Sequence, residues 1–128
     1  MEVKFSKSLM VAASLVLGLI AVALIFASEE WTLYFGIEST PALSSTLQVL
    51  GAFMAAFAFM NWMSKGMTLG GIYGRPIVMA NMVQFAMSAI LFVKLSLKVS
   101  EPLLWVASVI SIVLMLGFAR LAFGSGIE

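Results

Sequence analysis

Four apolar stretches, each long enough to cross a bilayer as a helix, constrain this chain more than anything else in it. They run over about residues 8–28, 41–63, 76–95 and 102–123, with short polar clusters between them. An α-helix rises about 1.5 Å per residue, so roughly 20 apolar residues span the hydrocarbon core. Charged residues make up 10% of the 128 and hydrophobic ones 62%, whereas a soluble domain carries about a quarter charged. A chain so composed takes lipid as its solvent. The expected fold is all-α, an integral membrane four-helix bundle forming a single transmembrane domain over residues 1–128.

What is absent narrows the chemistry. The chain has no Cys, no His and no Asp, which removes thiol nucleophiles, imidazole bases, disulfides and nearly every transition-metal site. None of the six Glu lies in the middle of an apolar run, so the membrane interior offers no titratable acid or base. Ser14, Ser88, Ser108 and Ser111 have no base in view and read as helix-packing hydroxyls. The expectation is a protein that is not an enzyme and holds neither metal nor cofactor. A net charge of +1 gives no footprint for nucleic acid.

The basic head MEVKFSK and the run after it read as a first spanning helix, because the run exceeds the ~7–15 residues of a signal-peptide core. Ser14 and Gly18, four apart, suit close helix contact. Residues 29–40 (EEWTLYFGIEST) join three acids to Trp31, Tyr34 and Phe35, a composition suited to a short segment lying at the headgroup level. Thr40–Pro41 opens the second span with an N-cap and a preorganised proline. Within that span Gly51, Ala55 and Ala58 form a thin stripe where another backbone can approach. Beside it Phe53, Phe57 and Met60 form a bulky one. Ser100–Glu101–Pro102 opens the fourth span in the same cap-then-proline manner. By the count of spans, Lys4, Lys7, Lys65, Arg75 and Arg120 share one side, against Lys94 and Lys98 on the other. The positive-inside rule then puts both termini in the cytoplasm.

The densest polar chemistry lies between Asn61 and Gln84, NWMSKGMTLGGIYGRPIVMANMVQ. Here the third span begins after GGIYGRP with no side-chain acceptor for its first amides. Their donors and the positive end of the helix dipole remain able to meet an anion. Gly70 and Gly71 permit close backbone approach, and Lys65, Tyr73, Arg75 and Arg120 surround the same inner surface. The spacing is neither a Walker nor a Rossmann pattern, so a tight turn with snorkelling cations is the plainer reading. Asn61, Asn81 and Gln84 form a carboxamide ladder reaching into the bilayer. It serves either as glue between the second and third spans or as the lining of a polar pocket. Gln48, in the outer half of the second span, lies too far away to join that ladder.

The run LGAFMAAFAFMNWMSKG, followed by GGIYGRPI and an Asn-bearing third span, resembles a family of small, uncharacterised four-span bacterial membrane proteins. The resemblance covers about residues 50–95 and implies a multi-pass protein of the bacterial cytoplasmic membrane, with no activity attached. The chain differs from small multidrug exporters, which need an acid in the first helix. The expected function is an accessory or interaction subunit that binds a lipid headgroup or a partner protein at its cytoplasmic face, within a larger membrane complex or a homo-oligomer. The alternative is a small-solute transporter or channel built on Asn61, Asn81 and Gln84.

Overall fold

A computed structural model describes residues 2–66 and 74–123. It holds five helices: α1 Glu2–Phe26, α2 Ser28–Tyr34, α3 Pro41–Ser64, α4 Arg75–Lys98 and α5 Pro102–Phe123. No strand occurs among the described residues. Four of the helices are long and apolar enough to cross a membrane: Lys4–Phe26 within α1, then α3, α4 and α5. The protein is therefore an all-helical integral membrane protein, as its apolar runs predict.

Three boundaries depart from the sequence reading. The basic head is part of α1, which begins at Glu2 and not near Ser8. No Gly or Pro interrupts residues 2–17, so nothing stops the helix from extending past the apolar run. At its other end α1 stops at Phe26, and Ala27 (φ −130°, ψ 35°) turns the chain into the seven-residue α2. α4 also runs on to Lys98, about one turn beyond the apolar stretch.

The helices divide into two compact units. The first comprises Met1–Leu9 with Gly66–Glu128, and the second Met10–Lys65. In the second unit α1 and α3 run antiparallel at very close range. A Cβ placed on Gly51 would lie 3.1 Å from the Ala21 carbonyl oxygen, 3.1 Å from Leu24 Cβ and 2.8 Å from Ile25 Cγ1. Nearer the other end of the pair, Gly18 faces Ala58 at 3.8 Å. The two small-residue stripes thus pack against each other. Thr40 caps α3 as expected, its Oγ1 accepting from the Leu43 amide at 3.1 Å.

α2 ends in a Schellman stop. The Gly36 amide donates to the Leu33 carbonyl at 3.0 Å and the Ile37 amide to the Thr32 carbonyl at 2.8 Å. Gly36 carries φ +72°, a conformation that favours glycine because a side chain would crowd the following carbonyl.

In the first unit α4 and α5 pack antiparallel around stacked Phe85 and Phe118 rings, 5.9 Å apart and 9° from parallel. Further along, the Ser96 and Ser108 hydroxyls approach to 3.5 Å. The start of α1 lies along the last turns of α5. There Leu9 Cδ1 sits 2.7 Å from where a Gly117 Cβ would be.

Candidate functional site

The start of α4 is described from Gly74 onward. Gly74 is the N-cap residue, in right-handed helical geometry, and among the described residues no side chain caps the helix. Arg75 and Pro76 follow, both exposed. A proline at the second position leaves no N–H there to satisfy. The first-turn amides carry the positive end of the macrodipole. The contrast with the Thr40 cap on α3 is direct. Gly70, Gly71 and Tyr73 lie outside the described residues.

The other cations rest against aromatic rings. Lys65 follows the last turn of α3, and its Nζ stands 3.1 Å from the centroid of the Trp62 ring. Arg120, in the last turn of α5, places its guanidinium carbon 4.7 Å from the Phe5 ring centroid. A cation over a ring face contributes ~0.5–1 kcal/mol when exposed and more when desolvated. At the C-terminal turn of α5 a positive charge also complements the helix dipole.

The carboxamides are deep in the protein. Asn61 in the second unit and Asn81 in the first are each 0% exposed. Asn81 Nδ2 donates to the Ile77 carbonyl at 2.9 Å, one turn back on its own helix. Gln84, one turn further along α4, has a buried Oε1 with no hydrogen-bond partner.

A polar constellation that sequence reasoning did not assemble lies in the second unit, where α1 gives way to α2. Ser28 and Ser44 share a hydrogen bond of 2.7 Å between their hydroxyls. Gln48 Nε2 donates to the Ile25 carbonyl at 3.3 Å, one of the carbonyls that α1 leaves without a helical partner at its end. These residues, with Phe26, Glu29 and Glu30, line an open cavity of about 170 Å³. The signal that finds them is the antiparallel register. Once Gly51 is set against Ala21–Ile25, Gln48 falls beside Ile25 and Ser44 beside Ser28.

Two buried serines of the first unit, Ser96 and Ser108, bond to their own helices, whereas the buried Ser6 Oγ has no hydrogen-bond partner. Ser96 Oγ donates to the Phe92 carbonyl at 2.7 Å, and Ser108 Oγ to the Leu104 carbonyl at 2.8 Å. A hydroxyl committed to its own helix has no base to activate it as a nucleophile. Among the described residues no group of three or more His, Cys, Asp or Glu could hold a metal ion.

The class that fold and geometry define is an all-helical integral membrane protein with cations at helix ends and carboxamides within. No protein-family model matches the chain, and comparison with curated proteins and with solved structures gives no match.

Proposed function

We propose that this chain is a non-catalytic subunit of the bacterial cytoplasmic membrane, both termini inside, which binds an anionic group at its cytoplasmic surface. The group is a phospholipid headgroup or an acidic side chain of a partner protein. The observation that carries the reading is the start of α4: among the described residues no side chain caps its amides, and exposed Arg75 stands at the first helical position. A helix start of this kind stabilises negative charge through its N–H groups and its dipole together. The count of spans adds Lys65 and Arg120 to the same side, and the excess of cations there sets the orientation.

Arg75→Ala tests it. A hydrogen bond to a charged group is worth roughly 1.5–3 kcal/mol, about tenfold or more in affinity. The variant should insert normally yet lose about that factor in retention of bound anionic lipid, read by mass spectrometry of the detergent-purified protein. If a partner chain is the ligand, the loss appears instead in co-purified protein. Unchanged recovery of both would sink the proposal.

The unpartnered Gln84 Oε1 favours a second reading, a small-solute carrier or channel in which Asn81 and Gln84 contact a polar solute. On that reading Gln84→Leu abolishes solute flux into proteoliposomes. On the subunit reading the same change leaves the protein at least as stable, since it removes an unsatisfied buried acceptor.

A further inference from the structure

α2 turns a polar face inward and leaves apolar side chains exposed at its far end. Ser28 and Thr32 lie one turn apart, on one face of the helix, and are 4% and 3% exposed. The side turned toward the rest of its unit therefore carries hydroxyls: Ser28 is bonded to Ser44, and Thr32 Oγ1 donates to the Glu29 carbonyl at 2.7 Å. The outward side carries exposed Glu29 and Glu30 in the first turn and, one turn on, Leu33 and Tyr34, continued by Ile37, the last three at 69%, 55% and 51% exposure. A helix on a protein surface in water turns its apolar stripe inward.

Three further features define what covers that outward face. Trp31, Tyr34 and Phe35 form a ring cluster with centroid separations of 5.9, 6.4 and 5.1 Å, and rings with polar tips are enriched at the membrane–water boundary. Phe26, the last residue of α1, is a large apolar side chain 80% exposed only two positions before α2 begins. Glu29 and Glu30 sit together in the first turn of α2, both exposed, which sets one end of the short helix toward water.

We infer that α2 lies within the bilayer's headgroup–acyl boundary, with Leu33, Tyr34 and Ile37 in contact with lipid and Glu29 and Glu30 toward the aqueous side. An interfacial helix of this type sinks its apolar face about 5–10 Å into the boundary. The hydroxyl seam to α3 supplies little apolar contact, so the lipid is what fixes the helix in place.

The chain contains no cysteine, so single labels carry no background. Nitroxides are attached to Glu29→Cys, Glu30→Cys, Leu33→Cys, Tyr34→Cys and Ile37→Cys in phosphatidylcholine vesicles. Collision with oxygen should exceed collision with a water-soluble nickel chelate at positions 33, 34 and 37, and the order should reverse at 29 and 30. Nickel dominating at 33, 34 and 37 would overturn the inference by placing α2 in water. Neither reagent reaching those positions would overturn it by placing α2 in a protein contact. A second measurement guards against labelled variants that fail to insert. With Trp62→Phe and Trp105→Phe leaving Trp31 as sole tryptophan, lipids brominated near the headgroup should quench its fluorescence more than lipids brominated near the chain ends. Absence of quenching by either counts against the lipid contact.

Discussion

α1 and α3 meet at glycines, Gly51 of α3 against Ala21, Leu24 and Ile25 and Gly18 of α1 against Ala58. α4 and α5 meet around two of the largest buried groups in the chain, the Phe85 and Phe118 rings. Both solve one problem. In lipid no hydrophobic drive pushes helices together, because acyl chains are as apolar as Leu. Association then rests on close-range dispersion, which falls away within an ångström of gap. One pair brings its backbones together by omitting side chains, and the other fills a wider gap with stacked rings. The first contact has no slack and the second has no substitute of equal shape, so they should fail differently.

The largest effect is expected at Gly51. A leucine there must displace the Ala21 carbonyl and Leu24 Cβ, which are backbone and near-backbone atoms that cannot rotate away. Overpacking costs typically ~1–3 kcal/mol where neighbours can adjust, so Gly51→Leu should exceed that range in unfolding from mixed micelles. Wild-type stability in that variant would remove the close-contact account of the second unit.

Phe118→Ala comes next. In a soluble core such a change costs about 3–5 kcal/mol. Here the transfer part shrinks because lipid replaces water as the alternative, and the cavity part remains. A loss of roughly half that range is expected, accompanied by loosening of α4 against α5 in hydrogen exchange. If the full soluble-core cost appeared, the argument that lipid removes the transfer contribution would be wrong.

The smallest effect should come from Gly117→Ala, which separates the meaning of the two glycines. The three atoms nearest its added Cβ all belong to the Leu9 side chain, whose Cδ1 can swing aside. Replacing a helix-interior glycine gains up to about 1 kcal/mol of propensity, so the variant should be neutral or slightly more stable. A penalty as large as that of Gly51→Leu would show that the contact between α1 and α5 is as rigid as that between α1 and α3.

Much of the fold was legible before any coordinates. α3 and α5 begin at Pro41 and Pro102, as their cap-then-proline sequences indicate, and the Gly51 and Gly18 stripes announced close contact. The site was less legible. That Gly74 brings no side-chain cap to α4 is a property of its residue type, whereas the positions of Lys65 over Trp62 and Arg120 over Phe5 required folded neighbours. Gln48 shows the difference plainly. Its distance in sequence from Asn61 excluded it from one cluster, and nothing local revealed that it would reach the Ile25 carbonyl 23 residues earlier.

The sequence by itself determined that this is a helical membrane protein, where its spans lie and which chemistries it lacks, because length, hydropathy and the absence of residue types are properties of the chain alone. Tertiary structure decided which hydroxyls and carbonyls pair, which glycines tolerate a methyl group and which side of α2 faces outward. Those depend on the register between helices, and register is set by side-chain shape meeting side-chain shape, which no single helix carries.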